Sequence, residues 1–341
     1  MERTYAKEKG MIRGALDSLP IIHAIADLGN ESTGFRMELA MTGGQNAFIR
    51  ALVLKSAQPL LVKRSIVTSG SNGADYPVIV APYVSENTAR VCAENGAGYI
   101  DESGNCLFSV GGIYILKSGN PNGKPDRRET KTIFNPSATT MSTIVRVLLR
   151  DTDKRWRMEE LARAAGCSLG LVAKVKKYLC GQLWAEDTAD GFYITEAREI
   201  LREWSRHYRI KREDIIPCYT LEKISDFEAR FKRTNAVPQC YFTSYAGGVR
   251  YAPVVRYNRS NLWVVEDEVE GFIDQNKLKR VDSGANVIIY STKRDDVLLD
   301  WRYVKDMPVV SPVQAVLDSL LEKGRGEELA DAIISKEIAH G

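Results

Sequence analysis

Two residues on neighbouring apolar stretches offer the first chemistry: Glu38 in FRMELAMT and Lys55 in NAFIRALVLKSA. Carboxylates that converge with a lysine can hold a divalent metal and let the lysine activate water for phosphodiester hydrolysis. A hard cation wants several anionic oxygens, and a single carboxylate does not supply them. Glu38 and Lys55 are equally a solvent-side cross-strand pair. We therefore expect no catalysis, no metal and no cofactor, and keep a nuclease using these two residues as the alternative. Asp101 and Glu102, in DESGN, read as a hairpin turn.

Other chemistries find little footing in the 341 residues. Only His23, His207 and His340 are present, none in a metal-ligand spacing. The six cysteines carry no CxxC and read as reduced structural thiols of a cytoplasmic protein. Neither GxxxxGK[ST] nor GxGxxG occurs, which removes the simplest nucleotide-binding loops. No apolar run approaches the roughly 20 residues of a membrane span, and the charged MERTYAKEKGMIRG lacks a signal-peptide core.

The remaining chemistry is electrostatic. Residues 141–181 hold nine Lys or Arg against four acids, a net of +5, whereas the whole chain is only +3. Within this window TMSTIVRVLLRD predicts a helix with Ile144, Val147 and Leu148 inward and Arg146 and Arg150 elsewhere. MEELARAAG predicts a second, short helix, and Gly166 permits a sharp turn. Ser168 is positioned to cap a third helix in which Val172, Val175 and Leu179 face the core. LWAEDTADGFYIT then supplies two strands around a turn. The pattern is a winged helix-turn-helix, whose later helix enters the major groove of double-stranded DNA. Base contacts would come from Ser168, Leu169, Gly170, Ala173 and Lys174, and phosphate contacts from Arg155, Arg157, Lys176 and Lys177. Lys177 also lies on the outward face of the helix. Glu186, Asp187 and Asp190 would repel phosphates, so the wing itself is expected to stay off the DNA backbone.

The elements around this module divide the chain into an α/β protein of several domains. Residues 1–118 read as helix (MIRGALDSLPIIHAIADLGN), two strands, helix, strand, helix and a hairpin from GYIDESGNCLFSVGGIYIL, a mixed sheet flanked by helices. SGNPNGKPDRRETKTIFNPSATT marks a linker over 119–140. Residues 141–197 form the winged module. Residues 198–341 form a C-terminal mixed α/β domain, with strands in PQCYFTSYA, NLWVVED and GANVIIYS and two helices around SPVQAVLDSLLEKGRGEELADAI. Arg250, Tyr251, Arg256, Tyr257 and Arg259 could stack on a nucleic acid, but such a cluster is more commonly a solvated face or a protein contact. Arg325 is expected to pair with a carboxylate.

Two resemblances follow from these residues. The order helix, strand, strand, helix, strand at the N-terminus resembles the core of restriction-endonuclease-like proteins. That resemblance implies an acid on one strand and acid-x-lysine on the next, where Glu38 and Lys55 fit but Val53 replaces the second carboxylate, a degenerate form. RWRMEELARAAGCSLGLVAKVKKYLCGQLW, together with APYVSENTARVCAENGAGYIDESGNCLF, GANVIIY and SPVQAVLDSLLEKGRGEELA, resembles the transcriptional regulators related to AbiEi-type antitoxins of type IV toxin–antitoxin systems, from about residue 75 to about 335. That resemblance implies an operator-binding repressor or antitoxin whose C-terminal domain meets a nucleotidyltransferase-like toxin. A homodimer is expected on two-fold DNA sites. An antitoxin acting mainly through protein contact is the second alternative.

Overall fold

The computed structural model describes residues 4–69, 75–123, 132–135, 139–234, 236–293 and 296–338. The chain is mixed α/β and splits into two compact units, Met1–Lys131 with Gly181–Leu183, and Thr132–Cys180 with Trp184–Gly341.

The first unit is a seven-stranded sheet whose strands lie in chain order. After helix α1 (Ala6–Leu16) come β1 (Ile22–Glu31), β2 (Gly34–Met41) and β3 (Asn46–Val53), an antiparallel meander. Helix α2 (Pro59–Ser69) crosses to a parallel β4 (Tyr76–Ala81), and α3 (Glu86–Glu94) to a parallel β5 (Gly98–Asp101). The antiparallel strands β6 (Cys106–Val110) and β7 (Ile113–Lys117) complete it. One face of the sheet buries Phe35, Met37, Leu39 and Ile49 against α1 residues Ile12 and Leu16. The other buries Ile79 and Tyr99 with Val62 and Val91 of α2 and α3.

Two expectations need correction here. IIHAIADLGN is a strand, not the end of a helix. Ile22, Ile25 and Leu28 recur at near-helical spacing because two register shifts against β2, at Ile22/Ala24 and Asp27/Gly29, break the two-residue alternation. GYIDESGNCLFSVGGIYIL makes three strands, because Gly111 and Gly112 both have positive φ, as a two-residue hairpin loop requires.

The second unit opens with α4 (Thr139–Arg150), α5 (Met158–Ala164), α6 (Leu169–Gly181) and the hairpin β8 (Ala185–Thr188) and β9 (Gly191–Ile194). It continues through α7 (Ala197–His207), β10 (Ile215–Tyr219), α8 (Ile224–Ala229), β11 (Tyr241–Phe242), α9 (Ser244–Tyr251), β12 (Ser260–Val265) and α10 (Val269–Gln275). Next come β13 (Lys279–Arg280), β14 (Val287–Thr292), β15 (Arg302–Val304), β16 (Met307–Val309), α11 (Pro312–Ser319) and α12 (Gly326–Ile333). Its sheet runs β13-β10-β14-β12-β11-β16-β15, parallel at β12/β14 and β11/β16 and antiparallel elsewhere.

The helical and C-terminal segments share one hydrophobic cluster running from Ile133 to Ile338. Helix α4 touches α5, β9 and α11 and is accordingly buried from Ile144 to Leu149. Residues 132–135 are part of this unit: Phe134 is buried and stacks on Trp204 at 5.4 Å. Residues 124–131 and 136–138 of the expected linker lie outside the described residues. The stretch PQCYFTSYA, expected as one strand, stops at Phe242 and turns into α9. Gly247 makes that possible, since a Cβ there would sit 2.4 Å from the Phe242 carbonyl oxygen.

Candidate nucleic-acid interface

Helix α5 ends because Gly166 adopts φ +60, and the Cys167 amide closes onto the Ala162 carbonyl at 2.9 Å. Residues 165–168 make the turn. Ser168 precedes α6, and its carbonyl accepts from the amides of Leu171 and Val172 at 3.1 and 3.3 Å. Leu161, Ala162, Val172, Val175 and Leu179 are buried, which fixes the face that α6 turns to the core.

The opposite face is open. Ser168, Leu169, Gly170, Ala173, Lys174 and Lys177 are all exposed. Leu169 keeps 48% of its surface in solvent. Among the described residues no carboxylate pairs with Lys174 or Lys177. Lys176 differs: its ammonium is held by Asp187 of β8 at 2.6 Å.

An isolated β-bridge flanks the hairpin. Trp156 and Phe192 exchange backbone hydrogen bonds of 2.8 and 3.0 Å. Strand alternation turns Arg155 and Arg157 away from the buried Trp156, and both are exposed. The Arg155 guanidinium lies 3.9 Å above the Tyr193 ring, while Arg157 donates to the Ala189 carbonyl at 3.2 Å. Tyr193 donates to Glu186 at 2.5 Å. Of the three hairpin acids only Asp187 has a cationic partner, Lys176, which weakens the repulsion it would exert on phosphates; Glu186 keeps its charge beside a neutral phenol. Lys154 pairs with Glu160 at 2.6 Å, and this bond holds the Glu160 carboxyl below its ordinary value.

Arg146 corrects the charge count. It is 3% exposed and donates to the Gln314 side chain at 2.6 Å. Its guanidinium lies 5.1 Å from the Trp204 ring centroid. Arg150 is engaged by Asp300 at 3.0 Å. Burial removes Arg146 from any open cationic surface, whereas Arg150 stays exposed but paired.

The structure keeps Glu38 and Lys55 apart. Glu38 lies opposite Phe48 and accepts from Asn46 at 2.6 Å. Lys55 lies beyond the end of β3, seven residues from Phe48, or about 23 Å along an extended chain. The β3 end near Lys55 faces Gly34, not an acid. Among the described residues no group of three His, Cys, Asp or Glu could hold a metal ion. Asp101 is a turn residue, accepting from the amides of Val84, Ser103 and Asn105. All six cysteines are free, and burial pushes Cys92 up to about 12. Among the described residues no helix is long and apolar enough to cross a membrane.

The C-terminal aromatic and basic cluster is largely turned inward. Tyr251 is buried. Arg250 and Tyr257 both bond Glu228 at 2.7 Å, and Arg259 pairs with Glu322 at 2.7 Å. Of the five, Arg256 alone is exposed. Arg325 does meet a carboxylate, that of Glu328.

Sequence reasoning missed the polar hub of this unit. The buried Asp318 carboxylate accepts from Tyr208 at 2.7 Å, from Trp263 and Gln314 at 2.8 Å, and from Thr243. Arg146 joins it through Gln314, so the hub ties α4 to α11 and the sheet. An available signal was the pair Gln314 and Asp318, one turn apart inside the apolar SPVQAVLDSLL.

No curated protein and no solved structure matches the chain. The match to a known family begins at Tyr193, so it omits the residues from 75 to 192 over which a resemblance was also expected. Residues 193–339, less than half of the chain, are similar to the family of transcriptional regulators described as AbiEi antitoxins of type IV toxin–antitoxin systems.

Proposed function

We propose that the protein is a DNA-binding transcriptional regulator acting in the cytoplasm as the antitoxin of a type IV toxin–antitoxin pair. Residues 141–197 act as a winged helix-turn-helix, with α6 entering the major groove of an operator. The observation that carries this reading is the open face of α6, where Lys174 and Lys177 stand exposed, without carboxylate partners among the described residues, beside Ser168, Leu169, Gly170 and Ala173. Arg155 and Arg157 add positive charge next to the hairpin. The regulator is non-catalytic, needs no metal, and binds as a homodimer. Its first unit is a degenerate restriction-endonuclease-like scaffold, supported by the antiparallel meander followed by a parallel crossover.

Selection from a pool of randomised duplexes, with and without magnesium, tests this. Recovery of a common sequence in both conditions is expected. Affinity should fall steeply with salt, and each lost phosphate contact should lower the slope of log K against log salt by about 0.9. Lys174→Glu with Lys177→Glu should abolish binding. Salt-independent binding that ignores this double change would overturn the reading.

One observation favours a second reading, an antitoxin acting mainly by protein contact: the family match covers the C-terminal segment and stops short of α6. Co-purification with a nucleotidyltransferase-like toxin encoded beside it, unaffected by the two lysine changes, would be its signature.

A further inference from the structure

Helix α6, LGLVAKVKKYLCG, contains no Arg, Asn, Gln, Asp or Glu. Arg and Lys read guanine, Asn and Gln adenine, and Asp and Glu cytosine, so of these readers α6 carries lysines alone, of which Lys174 and Lys177 are exposed on the open face. The open face also offers apolar groups at its tip: Leu169, half exposed at the first helical position, and the exposed Ala173 one turn later. Only one group on the major-groove edges of the bases is apolar, the C5 methyl of thymine. Four residues advance a helix by about 6 Å, and bases on one strand are spaced by about 3.4 Å. Two thymines one or two steps apart therefore lie within reach of Leu169 and Ala173.

We infer that α6 recognises thymine methyl groups, with Leu169 as the main specificity-determining residue and Ala173 as its neighbour. This rests on the proposed entry of α6 into the major groove. Lys177 then supplies charge and Lys174 charge or a guanine contact, and discrimination at the thymine positions comes from methyl placement.

The test uses the full chain and a duplex recovered by the randomised selection, with each thymine replaced in turn by deoxyuridine, which lacks only the methyl. At one or two positions the wild type should lose about fourfold in affinity, the value of one buried methyl-sized group. Leu169→Ala, at a half-exposed site and so expected to fold normally by circular dichroism, should no longer distinguish thymine from uracil at one of them. Leu169→Met should retain the discrimination. Equal binding of every uracil-substituted duplex by the wild type would overturn the inference, as would full discrimination by Leu169→Ala. Either result leaves duplex binding intact and separates this failure from that of the regulator reading, in which no duplex would be recovered at all.

Discussion

Lys176 on α6 and Asp187 on β8 form an ion pair of 2.6 Å, so the helix is tied to the hairpin that follows it. Both side chains keep part of their surface in solvent, 25% and 47%, where such a pair contributes under about 1 kcal/mol to stability. Asp187→Asn should leave the unfolding midpoint in urea nearly unchanged. If the released Lys176 meets a phosphate, the salt slope of DNA binding should steepen by about 0.9. An unchanged slope would remove Lys176 from the set of phosphate contacts.

Two glycines that shape the module should differ in how much they resist substitution. Gly166 has φ +60 but nothing lies within 4 Å of where a Cβ would stand, so Gly166→Ala carries only the left-handed backbone cost of about 1 kcal/mol. Gly191 has φ +141, and a Cβ there would lie 3.0 Å from the Arg155 carbonyl carbon and 3.1 Å from the Trp156 oxygen. Gly191→Ala must push away the β-bridge that Trp156 forms with Phe192, so its loss of stability should exceed that of Gly166→Ala. Denaturant unfolding of the two variants decides it, and equal losses would contradict the account.

Buried Asp318 makes a prediction about pH. Burial raises its carboxyl above the ordinary aspartate value of 3.8, although Thr243, Trp263, Tyr208 and Gln314 all donate to it and pull the other way. A folded-state value above the unfolded one means that the folded chain holds the proton more tightly. The contribution of this carboxyl to stability is then fully present below pH 3.8 and declines as pH rises through the raised folded-state value. The stability gap between wild type and Asp318→Asn should therefore be wider at about pH 4 than at about pH 7 in urea titrations. Asp318→Ala, which leaves four donors without their acceptor, should cost on the order of 3 kcal/mol or more.

The contrast between α6 and Arg146 explains how far the sequence could be read. In α6 the inward set Val172, Val175 and Leu179 follows from period alone, because a helix with one covered face obeys its own amphipathic pattern. Helix α4 is covered by α5, β9 and α11 together, so its pattern does not say which polar residue is solvated. Arg146 is buried on a partner, Gln314, that lies 168 residues away. The same limit hid β1, where register shifts gave a strand the spacing of a helix. The separation of Glu38 from Lys55 was likewise a matter of register, which the types of these two residues alone do not give. By contrast, Gly111–Gly112 is a hairpin signal that the dipeptide itself carries, and the expectation of a single hairpin there overlooked it.

The position of Lys55 leads to the last prediction, which concerns the first unit. Hydrolysis by a metal-bound water needs the carboxylates and the lysine converged on one ion, within hydrogen-bond reach of the attacking water. Glu38 instead bonds Asn46 near the hairpin that joins β2 to β3, whereas Lys55 lies past the far end of β3. A divalent cation at either site would find at most one of the two groups. Incubation of the purified chain with supercoiled and linear DNA in magnesium or manganese should therefore give no cleavage above that of a Lys55→Ala, Glu38→Gln double variant. Both residues are at least partly solvent-accessible, so that variant should unfold at the same urea concentration as the wild type. Metal-dependent cleavage lost in the stable double variant would restore the nuclease reading, and it would require β3 to re-register against β2 in the active form.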